Sequence, residues 1–182
     1  MMLGEHSKPS EILNKEKTMK RIIVALMVIM LVMPTTQVQA KSKSKKYNFV
    51  TKSIEYMMDA LKPLLKEFKK NRDLLAEVAY HENWHTDKDH LAAYYTMAVV
   101  MNRVKGKNWP NTVESVLYQK GQYTTTKYFF KETIPQECYD MATDVLIHGT
   151  PDVPENVVYQ ATFKQGHGDW IPPINGEHFC YE

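Results

Sequence analysis

Asp73-Leu74-Leu75-Ala76-Glu77-Val78-Ala79-Tyr80-His81-Glu82-Asn83-Trp84-His85 is the stretch whose reading decides the fold. Leu75, Val78, Ala79 and Glu82 recur at three- and four-residue spacing, which places them on one face of a helix. Asp73 is a good N-cap for that helix, since its side-chain oxygen can take a free amide of the first turn. An apolar stripe suited to packing a core therefore ends on a carboxylate.

The same spacing extends outward. Upstream, Val50, Ile54, Met57, Met58, Leu61, Leu64, Leu65 and Phe68 form a helical stripe with lysines between them, and Pro63 inside it predicts either a kinked helix or two short ones. Downstream, a helix runs from about His90 to Val104, with Leu91, Tyr94, Tyr95, Ala98 and Val99 inward and Lys105-Gly106 as its stop. Asn108-Trp109-Pro110-Asn111 reads as loop, Thr112 to Tyr118 as a short helix and Gly121-Gln122-Tyr123 as a turn. The residues of Thr124 to Phe130 favour extended structure. Thr133 and Pro135 open a helix carrying Cys138, Met141, Ala142, Val145 and Leu146, which Gly149 closes. Val157 to Tyr159 and His178 to Tyr181 read as strands, with Asn175-Gly176 a tight-turn signal between them. The expectation is an α+β, mainly helical single domain with a small C-terminal β element.

Composition sets the outer limits. An apolar fraction of 43% and an aromatic fraction of 11% in 182 residues suit a chain that buries a core, and fit neither disorder nor a fibrous repeat. A formal charge of +2 gives no reason to expect a nucleic acid partner. Lys20-Arg21, the apolar run Ile22 to Met33, Pro34 and the ending Val38-Gln39-Ala40 make a secretory signal peptide over residues 1–40. The run is shorter than the roughly 20 apolar residues a bilayer crossing needs, so membrane contact is expected only through the leader. Met19 precedes the basic pair, which makes residues 1–18 an over-extended start. Residues 41–71 read as a basic linker and an N-terminal helix, and residues 72–182 as the main folded domain. In an exported chain Cys138 and Cys180 could pair or stay packed thiols, and both readings stand.

His81-Glu82-Asn83-Trp84-His85 matches H-E-x-x-H letter for letter. Two histidines four apart on a helix can bind zinc, with the glutamate as general base. The extended form of that motif needs glycine at 88 and histidine at 91, where this chain has Lys88 and Leu91. Third-ligand candidates are Glu114, His148, His167 and His178, and none has a recognisable motif around it. Thr86-Asp87-Lys88-Asp89 looks like a helix break and a fresh cap, which leaves His85 on a fraying last turn.

A wider set of residues points elsewhere. Leu74-Leu75-Ala76 with Tyr80-His81-Glu82, Ala98-Val99-Val100-Met101-Asn102-Arg103-Val104, Trp109-Pro110-Asn111-Thr112-Val113 with Val116-Leu117-Tyr118, and Gly121-Gln122-Tyr123-Thr124 follow one another in the order found in the SleB/CwlJ-type cell wall hydrolases, which this chain resembles. Val157-Val158-Tyr159 and Gly176-Glu177-His178-Phe179 resemble that family's tyrosine-bearing strand and its closing signature. The resemblance covers roughly residues 72–181 and implies a lysozyme-like or lytic-transglycosylase-like fold acting on peptidoglycan glycan strands, with no metal or other cofactor. It places the catalytic glutamate on Glu82. Two readings stand for the candidate substrate contacts: Gln122 hydrogen-bonds sugar hydroxyls or acetamido groups and Tyr123 or Tyr159 stacks on a pyranose, or Gly121-Gln122-Tyr123 is a structural turn and Tyr159 a packed strand residue; His178 is likewise a substrate contact or a hydrogen-bonded structural histidine. Trp84 and Trp109 read either as lining a sugar groove or as lids over the core. Asn102 and Arg103 read as structural, orienting Glu82 or holding a loop.

One departure stands out. The family places a second acid four positions after the glutamate, where this chain has Thr86. Asp87 and Asp89 are the nearby substitutes. With one acid alone a lytic transglycosylase still works, because the N-acetyl group and the 6-hydroxyl of the substrate complete the chemistry.

Overall fold

The computed structural model describes residues 45–182, with side chains from Ile54 onward and at Lys52. The expected signal peptide, residues 1–40, lies outside the described residues, as does the expected linker up to residue 44. Five helical segments precede two strands: α1 (Lys45–Asn83), α2 (Leu91–Lys105), α3 (Val113–Leu117), a 3₁₀ turn η1 (Thr124–Tyr128), α4 (Gln136–His148), β1 (Val157–Ala161) and β2 (His178–Tyr181). The start of α1, up to Met57, belongs to one unit, and everything from Met58 onward to a second. The expected α+β, mainly helical architecture with a small β element near the C-terminus is what the second unit shows. No helix among the described residues is long and apolar enough to cross a membrane.

Two boundaries differ from expectation. Helix α1 is continuous through both Pro63 and Asp73, so there is neither a break nor a cap at either, and the boundary expected at residue 72 falls inside it. Pro63 is exposed, as is Asp59 four residues earlier, so water can satisfy the carbonyl that loses its partner. Asp73 spends its carboxylate on the Arg72 guanidinium, at 2.6 and 2.9 Å, rather than on a helix amide. The stretch Thr124 to Phe130 forms the 3₁₀ turn η1 over its first five residues instead of a strand. Its β-formers have no neighbouring strand to pair with, and β-propensity expresses itself only against a partner.

Helix α2 is the axis of the core. One side, through Ala93, Met97 and Val100, packs with Leu74, Leu75, Val78 and Ala79 of α1, Val116 and Leu117 of α3, and Ala142 and Val145 of α4. The other side, through Ala92, Tyr95, Ala98 and Val99, packs with Val153, Val157 and Phe179 under the β-hairpin. Burial on both sides explains why α2 is apolar nearly all round, and its alanines let neighbours approach closely. Burying these side chains contributes about 1.5–3 kcal/mol for each large one.

The turn between α1 and α2 follows the break read at residues 86–89. Asp87 receives the Leu91 and Ala92 amides at 2.8 and 3.0 Å, which caps α2. His90 adopts a left-handed backbone, φ 54°, with its ring stacked on Trp84 at 3.6 Å and its Nδ1 2.7 Å from the Trp84 carbonyl oxygen. Trp84 is 6% exposed and covers the core, so it lines no groove.

β1 and β2 pair antiparallel, with Gln160 opposite Phe179 and Ala161 opposite His178. The Asn175-Gly176 turn forms a smaller hairpin ahead of β2, joining Ile174 to Glu177, rather than linking β1 to β2 directly. Gly166 passes close under β2. A Cβ there would lie 2.0 Å from the Tyr181 carbonyl oxygen, so only glycine fits. Cys138 and Cys180 are both buried free thiols, in the helical core and on β2 respectively.

Candidate active site

The helical core lifts Glu82 to the last turn of α1, above Leu75, Val78 and Ala79, where it is half-buried. Burial raises its pKa above the usual carboxylate value, with a hydrogen bond from Thr125 and the nearby His81 pulling the other way. The Thr125 hydroxyl, on η1, donates to Glu82 Oε1. A carboxyl group held this way stays protonated to higher pH than one in water, which suits it to giving up a proton near neutrality.

The turn that supplies Thr125 is anchored by Arg103. This guanidinium, on α2 and 3% exposed, donates from Nε to the Val158 carbonyl oxygen at 2.6 Å and from Nη1 to Gln122 Oε1 at 2.9 Å. It also lies over the rings of Trp109 and Tyr123, at 4.4 and 5.4 Å. Asn102 beside it donates to the Pro154 and Val157 carbonyls at 2.9 and 3.0 Å. Of the two structural readings for this pair, these contacts support loop-holding: they tie the Gly121-Gln122-Tyr123 turn to β1.

The remaining sequence candidates divide. Gln122 is exposed but its oxygen is taken by Arg103, which leaves its amide nitrogen for a ligand. Tyr123 is 6% exposed with Arg103 over its ring, so it offers a hydroxyl rather than a stacking face. That hydroxyl is buried without a protein partner, and its pKa is pushed up to about 12, first by burial and then by the charges of Glu82 and Glu177 against Arg103. Tyr159 meets Trp109 edge-on at 5.8 Å and covers Gly166. His178 Nδ1 lies 2.7 Å from Asp169 Oδ1, and this contact is the main cause holding the Asp169 carboxyl below its usual range. Asp169 also meets Lys164 at 3.2 Å, so His178 belongs to a strap at the start of β2.

The H-E-x-x-H side chains do not converge. His81 Nε2 lies 3.2 Å from Oε2 of Glu77, one turn back, and its ring stacks on Phe129 at 5.8 Å. His85 is exposed, edge-on to Tyr80 at 5.5 Å. Glu114 pairs with Lys70 at 2.6 Å, and His167 bonds the Glu182 carbonyl. Among the described residues no group of three or more His, Cys, Asp or Glu side chains is placed to hold a metal ion. A separate cavity of about 600 Å³, lined by Tyr94, Met141 and Asp152 among others, takes in His148 but none of Glu82, His81 and His85.

The sequence reading missed one acid. Glu177 is half-buried at the end of the Ile174–Glu177 hairpin. Its pKa is raised by burial, which outweighs the opposing effect of the Gln160 and Asn83 side chains, and by the charge of Glu82. Asp87 is occupied as the α2 cap and Asp89 is exposed on the loop, so neither replaces the missing second acid. In the sequence Glu177 stood between the Asn175-Gly176 turn and the strand from His178, inside the Gly176-Glu177-His178-Phe179 signature, and neither feature marks it as a site acid.

A mainly helical domain that ends a core helix on a half-buried carboxylic acid, faced by a hydroxyl-bearing turn, has the build of an acid–base enzyme. Residues 89–177 match the Cell Wall Hydrolase family, which bears out the resemblance to the SleB/CwlJ-type enzymes from α2 through the hairpin. That segment of the chain is thus similar to the cell wall hydrolases, and peptidoglycan is the substrate that goes with that family. The match begins at Asp89, downstream of Glu82. No curated protein and no solved structure matches the chain.

Proposed function

We propose that this protein cleaves the glycan strands of peptidoglycan, as a muramidase or lytic transglycosylase on a lysozyme-like fold, with Glu82 as the general acid. The observation that carries the reading is Glu82 itself: a half-buried carboxyl on the last turn of a core helix, raised by burial and bonded to a hydroxyl. Breaking a glycosidic bond requires protonation of a poor leaving group while an oxocarbenium-like centre forms. Glu82 supplies that proton. In the one-acid route its carboxylate then takes a proton from the 6-hydroxyl and a 1,6-anhydro end results. In the hydrolytic route water adds instead. Digestion of purified peptidoglycan tests the reading: new saccharide ends support it, and cut peptide stems with intact glycan strands would overturn it.

The zinc-peptidase reading makes opposite predictions. Glycan cleavage should survive a chelator unchanged, and His85→Ala should keep activity within about threefold, because an exposed surface side chain costs little to remove. Loss of all activity in both cases would restore the H-E-x-x-H reading. A non-catalytic wall-binding role has only the substrate class in its favour, because binding requires no raised carboxyl.

Export completes the proposal. The leader at 1–40 delivers the enzyme to the cell envelope or beyond. The protein recovered from the medium or envelope should begin at Lys41 by N-terminal sequencing, and an intact N-terminus there would count against cleavage.

A further inference from the structure

Three exposed aromatic side chains gather round one buried ring next to Glu82. Phe129 is 6% exposed and stacks on His81, the residue before Glu82, with ring centres 5.8 Å apart. Tyr118 and Phe130 meet Phe129 edge-on, each at 6.3 Å, and the Tyr128 ring lies 6.1 Å from that of His81. Tyr118 and Tyr128 are half-exposed and Phe130 is 60% exposed. The core takes Phe129 alone. The rings around it stay in water, and apolar surface gathered in one place marks a contact site.

The backbone puts Phe130 there against its own preference. Tyr128 to Lys131 is a β-turn, closed by the Lys131 amide donating to the Tyr128 carbonyl oxygen at 3.2 Å. Phe129, at φ −52° and ψ 138°, and Phe130, at φ 60°, give it the type II form. The third position of that turn favours glycine, because a Cβ is crowded at positive φ, and a bulky ring there is an outlier. A strained and exposed aromatic contributes little to folding, and such outliers cluster at ligand sites. The preceding turn fixes where the rings lie. Three residues make one turn of η1, so Thr125 and Tyr128 share a face, about 6 Å apart along its axis. Thr125 is the residue whose hydroxyl donates to Glu82. The aromatic surface is therefore continuous with the acid.

Resting on glycan cleavage by Glu82, we infer that Tyr128 and Phe130 form a sugar-binding platform beside the acid, on which a pyranose of the glycan strand stacks. A pyranose presents a face of C–H bonds, whose positively polarised hydrogens suit the negative face of an aromatic ring. Its hydroxyls point outward round the edge and stay in water, so a ring at the surface can hold it without burying polar groups. Phe130 carries the stacking face. Tyr128 has Lys127 Nζ over its ring at 4.9 Å, which adds a hydroxyl and a cation to the rim of the platform. Tyr123 cannot fill this role, because Arg103 lies over its ring.

Calorimetry with soluble, uncrosslinked glycan strands stripped of their peptide stems tests the platform, using the full chain with Glu82→Gln so that the strands stay intact. Adding Phe130→Gly should weaken binding about tenfold, the scale of one lost aromatic contact. Phe130→Leu should weaken it equally and Phe130→Trp should restore it, because the sugar meets a stacking face and not apolar bulk. With Glu82 intact, Phe130→Gly should raise KM about tenfold and leave kcat within about twofold. Its melting temperature should equal or exceed that of the wild type, since glycine relieves the left-handed backbone. A ring that served only the fold would lower it. Wild-type binding of stripped strands in both Phe130→Gly and Tyr128→Ala would overturn the inference, and so would full binding by Phe130→Leu. A loss seen only with stem-bearing strands would give the rings to the peptide and overturn it too. A Glu82→Gln chain that still cuts strands would overturn the reading beneath. An inactive Glu82→Gln whose binding ignores Tyr128 and Phe130 would overturn only the platform.

Discussion

Replacing Glu82 by Gln should reduce glycan cleavage by about 10³-fold while leaving the protein folded and, above neutral pH, more stable than the wild type. The rate loss follows from removing the proton donor at the leaving oxygen, a contribution of typically 10²–10⁴-fold. The amide can still accept from Thr125, so the turn that faces the site has no cause to move. The stability gain follows from burial. Because burial raises the folded pKa of Glu82 above its unfolded value, its favourable contribution is complete below the unfolded pKa and is lost as pH rises through the folded one. The substituted amide does not titrate, so the gap between the two proteins should be small near pH 4 and widen towards pH 8. The same raised pKa sets the wild-type activity, which should hold to higher pH than an ordinary carboxylic acid allows and then fall as Glu82 ionises. Turnover of purified peptidoglycan and thermal melts at the two pH values check both statements. A variant with wild-type turnover would remove Glu82 from the chemistry.

Arg103→Ala should be the most damaging single change to the scaffold, at about 3 kcal/mol, or a melting temperature lower by roughly 10 °C. The side chain is 3% exposed, and its loss strands the buried Val158 carbonyl, which it meets at 2.6 Å. It also uncovers the Trp109 and Tyr123 rings and frees Gln122. Arg103→Lys should recover less than half of the loss. One ammonium cannot reach both oxygens while lying flat over two rings, as a planar guanidinium does. The consequence for function is indirect: the turn anchored by Gln122 runs on into Thr125, the partner of Glu82, so Arg103→Lys should show reduced turnover even where it remains folded. A melt of Arg103→Ala within a degree or two of wild type would show that the turn is held by other contacts.

The elements legible in the sequence were those with strong local signals. α2 ended where Lys105-Gly106 stops it, α3 started at its Thr112 cap, and α4 lay between Pro135 and Gly149. The errors came where a local signal met a stronger constraint. Asp73 and Pro63 read as boundaries, yet the apolar stripe through Leu61, Leu74, Leu75 and Val78 runs past both, and its burial outweighs one lost amide bond. Thr124 to Phe130 read as extended because β-formers were counted without a partner strand.

The candidate site divides in the same way. Glu82 was legible because a helical period and a carboxylate lie close together in sequence, and so was the exposed place of His85, because the break between α1 and α2 at residues 86–89 is a local signal. By itself, then, the sequence determined the helical class, the ends of α2, α3 and α4, the acid at the end of its stripe and the resemblance across residues 72–181. Only the tertiary structure decided what surrounds that acid. Burial of Glu82 is made by α1 and η1 together, and the Arg103 anchor bridges α2 to β1. Each depends on residues far apart in the chain, and side-chain charge and hydrogen bonding act through space, where spacing along a sequence carries no distance.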